Sequence, residues 1–265
     1  MASEEKSGAK PREKDGTTRQ AERPLLVLDD VYAGYGRAAM VLRGLSVEVP
    51  PRTVVCLVGP NGAGKSTVLK VASGLLRPRE GRVVVDGADV TGQGPQQMLR
   101  SGLAHVLQGH SVFREMTVEE NVLLGAYTLR DKARIAERVA FVQELFPIVG
   151  ERWKQLAGLL SGGQQKQVEF ARSLMIDPKV VLLDEPSMGL DPKTTATVFQ
   201  QIVRMRDAGT AVLLVEQNAR RALETADLGC VLDLGRVHIS GPAAELLADQ
   251  RLSELYLGGR PKSTA

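Results

Sequence analysis

Aromatic residues are scarce: five phenylalanines, four tyrosines and one tryptophan in 265 residues. Nowhere do they interleave with basic side chains as a base-stacking surface requires, which argues against nucleic-acid binding. The net charge of +3 is too small for a general attraction to nucleic acid or to acidic lipid. Only two cysteines occur, Cys56 and Cys230, in the separate apolar runs "VVCLVG" and "LGCVLDL". That excludes a disulfide framework and reads as two small buried hydrophobes. No apolar run approaches the length of a membrane span, and the opening "MASEEKSGAKPREKDG" is charged where a secretory signal is apolar. The expectation is a cytoplasmic chain that reaches a membrane only through a partner.

What is there is an ordinary globular composition, 43% hydrophobic and 25% charged, with enough length for one large domain. Residues 1–23 mix both charge signs with Gly, Pro, Ser and Thr and are expected to be a disordered extension. From residue 24 a single domain is expected. Alternating apolar positions in "LSVEVP" (Leu45, Val47, Val49) and the run "RVVVDG" predict antiparallel strands. The continuous apolar runs "TVVCLVG", "VVLLDEP" and "AVLLVEQ" predict a parallel sheet covered by helices on both faces. Residues 91–159 read as a mostly helical lobe, with Ile135, Val139 and Val142 at helical spacing. The core with its antiparallel lobe takes 24–90 and 160–240. "CVLDLGRVHISG" predicts a hairpin around Gly235, and 241–265 a C-terminal helical tail. No internal repeat is present, so the chain carries one copy of its site.

The strongest pattern is "GPNGAGKST", where Gly59, Gly64, Lys65 and Ser66 complete G-x-x-x-x-G-K-[ST] between an apolar strand and the helical stretch "VLKVASGLL". Glycines let backbone N–H groups close around a β-phosphate, and the helix N-terminus behind them favours negative charge. The loop residues Gly59, Pro60, Asn61, Gly62, Ala63, Gly64, Lys65, Ser66 and Thr67 are therefore candidate nucleotide contacts. Lys65 can reach the β- and γ-phosphates, and Ser66 can ligate magnesium. A phosphate loop needs a second magnesium anchor, which "VVLLDEP" supplies in Asp184. Glu185 follows directly, placed to orient or deprotonate a water attacking the γ-phosphate.

"LSGGQQKQVEFARSLM", residues 160–175, sets Ser161, Gly162 and Gly163 at the start of a helix with an apolar stripe of Val168, Ala171, Leu174 and Met175. The N–H groups of that helix start can bind a second anion. The phosphate loop already provides one such site, so this one is expected to serve a nucleotide held by another copy of the chain. The simpler alternative is that Ser161 only caps its helix.

With these three stretches the chain resembles the ATP-binding cassette ATPases, from about residue 25 to its end. "GPNGAGKST" is similar to the family's Walker A motif, "LSGGQ" to its signature and "VVLLDEP" to its Walker B, in the family's order. The resemblance implies an α/β phosphate-loop NTPase core with an antiparallel β lobe and a helical lobe. It implies ATP and Mg2+ as ligands, ATP hydrolysis, and two cassettes closing head to tail on two ATP molecules. It further implies that Tyr35 in "AGYGR" stacks on adenine, that Gln108 in "VLQGH" links the magnesium to the helical lobe, and that Asp191 in "SMGLDP" couples the two sites. Ser161 and Gly163 would then touch the γ-phosphate held by Lys65 of the other copy.

In this family the strand after Walker B usually ends in a histidine that contacts the γ-phosphate. Gln217 in "VLLVEQN" stands at that place, and its amide can donate to a phosphate oxygen while carrying no charge near neutral pH. Without the family context Gln217 is a solvated strand end. "LVEQN", "MTVEENV" and the terminal "YLGG" resemble the cassette subunits of bacterial branched-chain (hydrophobic) amino-acid importers. That subgroup commonly has an acidic residue followed by Gly-Arg where this chain has Gln108, Gly109 and His110, which leaves urea or short amides open as cargo. The partners implied are a second cassette, identical or a sister chain, and permease subunits on the inner face of the cell membrane. Through the permease the cassette would serve an extracytoplasmic binding protein. Soluble cassettes that remodel ribosomes or DNA usually carry two cassettes or a long coiled-coil insertion, and this chain has neither.

Overall fold

The computed structural model describes residues 23–36, 39–109 and 111–249. Most of the expected extension, the last sixteen residues with the "YLGG" segment, and His110 lie outside the described residues. β1 (Leu26–Tyr35) and β2 (Ala39–Val49) alternate buried and exposed side chains, with Leu45, Val47 and Val49 inward. β3 (Val54–Val58) is buried at every position and runs into α1 (Lys65–Ala72). β4 (Glu80–Val85) and β5 (Ala88–Asp89) form a hairpin, followed by α2 (Pro95–Arg100) and β6 (Leu103–Val106). A helical stretch comes next: α3 (Val118–Leu123), α4 (Lys132–Leu145), α5 (Pro147–Glu151) and α6 (Gly162–Leu174). β7 (Val180–Asp184), α7 (Pro192–Asp207), β8 (Ala211–Val215) and α8 (Ala219–Thr225) return to the core. β9 (Leu228–Asp233), β10 (Arg236–Pro242) and α9 (Ala243–Ala248) complete the described chain.

Two sheets result. One has the order β2-β1-β4-β5 and is antiparallel throughout. The other has the order β10-β9-β3-β8-β7-β6, parallel from β9 to β6 and closed at one edge by the antiparallel β10. Strands buried on both faces divide their side chains between two apolar layers, as the period of two demands. Val54, Cys56 and Val58 of β3 join α6, α7 and α8 in one layer, while Val55 and Leu57 join α1 and the antiparallel sheet in the other. The same split runs through β7 and β8. Cys230 is also buried, and both thiols are free.

The C-terminal hairpin ties the two sheets together. Leu234 and Gly235 both have positive φ, 45° and 80°, which suits a tight two-residue turn. The turn rests on β2: Arg43 N donates to Gly235 O at 3.0 Å, and a Cβ on Gly235 would lie 1.8 Å from Val41 O. Only glycine fits there.

The stretch 91–159, expected to be mostly helical, also holds a strand: after α2, Leu103–Val106 forms β6, the edge strand paired in parallel with β7. Four apolar-leaning residues are too few to show a period, and their strand character comes from pairing along β7. The helices that do form a lobe, α3 to α5, pack on α6 through Phe146, Val149 and Val142, with Phe146 and Phe170 ring centroids 6.3 Å apart.

Candidate active site

The loop between β3 and α1 is shaped by close approaches that exclude larger residues. A Cβ on Gly59 would lie 2.1 Å from Leu232 O. Gly62 and Gly64 have φ of 85° and 107°, the left-handed region that glycine enters freely. Gly64 is the N-cap of α1, so the first amides of that helix, starting at Lys65 and Ser66, have no intrahelical acceptor and point towards the loop's mouth. Lys65 donates from Nζ to Gly59 O at 2.8 Å and to Pro60 O at 3.0 Å, curling over the loop. Burial lowers its pKa, against the pull of Glu185 and Asp184. An open pocket of about 430 Å³ lies over this loop, lined by Tyr35, Asn61, Gly62, Gly64, Lys65, Ser66, Thr67 and Glu185 with Val41. A cradle of free amides with one lysine and one hydroxyl fits the phosphates of a nucleotide.

Tyr35 stands at the edge of that pocket, 46% exposed. Its hydroxyl is 3.5 Å from Thr67 Oγ1 and accepts from Lys70 Nζ at 3.3 Å, so the ring is anchored at its hydroxyl end, with the Lys70 ammonium 5.4 Å from the ring centroid.

β7 delivers two carboxylates. Asp184, buried, accepts from Ser66 Oγ at 3.3 Å, bringing together the two residues expected to hold magnesium. Its pKa is raised by burial and by the negative Glu185, with Ser66 and the lysines Lys70 and Lys65 opposing. A hydroxyl and an acid meeting beside the phosphate cradle is a fitting pair of hard oxygen donors for Mg2+. Glu185 has φ of 44°, a conformation that a non-glycine residue holds only when its surroundings fix it. They do: Glu185 N donates to Val215 O at 2.9 Å, and Gln108 Nε2 donates to Glu185 Oε2 at 2.9 Å. Gln108 also touches Met188 Sδ at 3.1 Å.

The signature stretch lies elsewhere. Ser161 caps α6, accepting from Gln164 N at 3.4 Å while its own N–H donates to Gln164 Oε1 at 3.0 Å, a reciprocal capping box. Ser161 therefore caps its helix, and this leaves Gly162 and the remaining first-turn amides for another acceptor. Gly163 is needed for contact: a Cβ there would lie 2.2 Å from Thr194 Cγ2. Thr194 N in turn donates to Asp191 Oδ1 at 3.1 Å, so Asp191, the N-cap of α7, sits beside the signature turn. Hydrogen bonds from the Thr194 side chain, and from the backbone N–H groups of Thr194 and Lys193, hold the Asp191 carboxyl below its usual range. Ser161, Gly162, Gly163 and Asp191 do not line the pocket over Lys65.

Gln217 is exposed just past β8, and among the described residues only its backbone is engaged, with N–H donating to Glu216 Oε2 at 3.2 Å. Glu216 went unassigned in the sequence although it stands inside "VLLVEQN". It is 2% exposed and also accepts from Ser187 N at 3.0 Å, so one carboxylate joins the end of β8 to the turn carrying Glu185. Burial raises its pKa, against the Ser187 side chain and its two backbone donors, and the neighbouring Glu185 raises it further. A second missed group fastens the loop after Gln108. Lys166 and Glu169, both buried on α6, pair at 2.6 Å; Lys166 donates to Gly109 O at 2.7 Å, and Glu169 accepts from Ser111 N. Arg172 adds a bond to Ser111 O at 2.9 Å. Opposite charges three apart on a helix are usually solvated, so this burial is not legible from their spacing.

The model of the family "ABC transporter" matches residues 42–188. The chain belongs to that family. This cassette is an ATP-binding ATPase with the phosphate-loop fold expected of it. It is 40% identical over 235 residues to the high-affinity branched-chain amino acid transport ATP-binding protein BraG of Pseudomonas aeruginosa, covering 89% of this chain and 100% of that one. It is 37% identical over 227 residues to the probable branched-chain amino acid transport ATP-binding protein LivF of Archaeoglobus fulgidus, covering 85% and 95%. It is 31% identical over 237 residues to the lipopolysaccharide export system ATP-binding protein LptB of Haemophilus influenzae, covering 88% and 97%. Among solved structures, the ADP conformation of an ATP-binding cassette of an ABC transporter superposes with a TM-score of 0.80 at 28% identity, covering 89% of this chain and all of that one.

Proposed function

We propose that this cassette powers a membrane importer of branched-chain or other hydrophobic amino acids, closing as a dimer on ATP and opening after hydrolysis. The meeting of Lys65, Ser66, Asp184, Glu185 and Gln108 at one phosphate cradle carries the ATP chemistry. The similarity to BraG and LivF supports the cargo. Lys65 and the first amides of α1 bind the β- and γ-phosphates, and Tyr35 stacks on the adenine. Ser66, Asp184 and Gln108 would hold Mg2+, which supplies charge neutralisation at the phosphates. Glu185 takes a proton from the water that attacks the γ-phosphorus as the bond to the β,γ-bridging oxygen breaks and ADP leaves. Gln217, at the end of β8, donates its amide to the γ-phosphate.

Because Ser161, Gly162, Gly163 and Asp191 lie away from the pocket of their own chain, they serve the ATP of the second cassette. Among the described residues no helix is long and apolar enough to cross a membrane. The permease sits on the apolar surface beside the Gln108 loop, where Leu75, Leu107 and Tyr127 are exposed around a groove of about 370 Å³. The test is capture of Glu185→Gln with ATP and magnesium from detergent-solubilised membranes of its own host. Co-purifying amino-acid permease chains support the reading, and a second cassette among them shows a heterodimer. A permease of an amide or lipopolysaccharide system moves the cargo assignment. Recovery of ribosomal or nucleoid proteins alone overturns the transporter reading and leaves the ATP chemistry intact.

A further inference from the structure

We propose that Glu216 is a positioning residue that fixes Glu185 for attack on ATP by latching the turn after β7 to the end of β8. The inference rests on Glu185 acting as the base. Glu216 Oε1 accepts from Ser187 N at 3.0 Å and Oε2 from Gln217 N at 3.2 Å. Ser187 lies two residues beyond Glu185, and Glu185 N itself donates to Val215 O at 2.9 Å. The turn is thus tied twice to one strand end, by the backbone of Val215 and by the side chain of the next residue.

Two features separate this from a role in packing. The first is the strain at Glu185, whose φ of 44° has to be imposed by neighbours. Release of one tie lets that residue relax towards ordinary backbone, and the carboxylate moves with it. The second is the choice of residue. β8 is otherwise Ala, Val and Leu, all buried, and an aliphatic side chain at 216 would fill the same place with no charge to desolvate. What only a carboxylate provides is two acceptors facing two backbone donors. The same contact sets the distance between Glu185 and Gln217, because the second donor is Gln217 N.

The test uses the full chain with ATP and magnesium, and compares Glu216→Gln, Glu185→Gln and the double variant by steady-state phosphate release across a range of ATP concentrations. Glutamine keeps the shape of Glu216 but turns an amide N–H towards one of the two donors. Glu216→Gln is expected to lower kcat roughly tenfold or more, as misplacement of a catalytic group does, with KM for ATP within about twofold. It should add nothing to the loss already caused by Glu185→Gln, since both act through one group. An unchanged kcat, a loss confined to KM, or losses that multiply in the double variant would each overturn the latch. If thermal melting shows that Glu216→Gln does not fold, Glu216→Asp replaces it. That variant keeps the charge, withdraws it by one methylene, and should show the same non-additivity with a smaller loss in kcat. Wild-type turnover by Glu185→Gln alone would remove the base and the latch together. A slow Glu185→Gln beside a normal Glu216→Gln would remove the latch only.

Discussion

Gln108 donates its side-chain amide to Oε2 of Glu185 at 2.9 Å, joining the loop after β6 to the turn after β7 at a single carboxylate. A glutamate so placed is oriented without being neutralised. Glu185→Gln is expected to slow hydrolysis roughly a hundred- to ten-thousand-fold while leaving ATP affinity nearly unchanged. With ATP and magnesium the variant should elute as a dimer in size-exclusion chromatography; a monomer with normal turnover would take the base role away from Glu185.

Lys65 spends its donors on Gly59 O and Pro60 O at 2.8 and 3.0 Å, within reach of whatever the loop encloses. Lys65→Met removes the one ammonium in the cradle and leaves the glycine geometry alone. ATP affinity should fall about ten- to a hundred-fold, the range of a hydrogen bond to a charged group. Titration with a fluorescent ATP analogue measures it, and an unaltered affinity would mean that the amides bind phosphate unaided.

Gln217→Ala should bind ATP like the wild type and hydrolyse it about tenfold more slowly, because the side chain is exposed and makes no hydrogen bond among the described residues. Equal turnover in the two proteins would return Gln217 to a solvated strand end.

Much of this was legible in the sequence because local chemistry dictates it. The glycines around Lys65 and the continuous apolar strands before Lys65, Glu185 and Glu216 each follow from backbone geometry or two-sided burial. The antiparallel strands with Leu45, Val47 and Val49 inward follow from alternation. What stayed hidden depends on contacts far apart in the chain. β6 is a strand because β7 lies beside it, and Glu216 matters because Ser187 faces it across the sheet end. Lys166 and Glu169 read as a solvated pair until the loop from Gly109 to Ser111 closes over them.

That buried pair makes a stability prediction. Lys166→Met leaves Glu169 charged, buried and short of its cation, which should cost about 3–5 kcal/mol in urea unfolding. Replacing both, Lys166→Met with Glu169→Leu, should recover part of the loss, since an apolar pair carries no desolvation penalty. The recovered protein should still hydrolyse ATP slowly, because Gly109 O and Ser111 N lose the partners that hold the Gln108 loop. Full activity in the double variant would confine the pair to stability.

His105 gives the chain a pH dependence whose sign is fixed by its surroundings. Both ring nitrogens are buried with no hydrogen-bond partner among the described residues, and burial, followed by the positive charge of Lys70, lowers its pKa to about 4 from 6.5. The folded protein therefore binds fewer protons at this site than the unfolded chain between those two values. Its contribution is present in full above about pH 6.5 and is lost as pH falls towards about 4. Between pH 7 and pH 5 the loss should be about 2 kcal/mol. Asp184 and Glu216 act in the opposite sense, since carboxyls with raised pKa favour the fold as they take up protons. Wild-type unfolding alone would mix the two effects, and His105→Leu separates them. The variant should lose about 2 kcal/mol less than the wild type on going from pH 7 to pH 5 in urea unfolding, with the carboxyl contributions unchanged. Equal losses in both proteins would show that the imidazole is already satisfied in the fold.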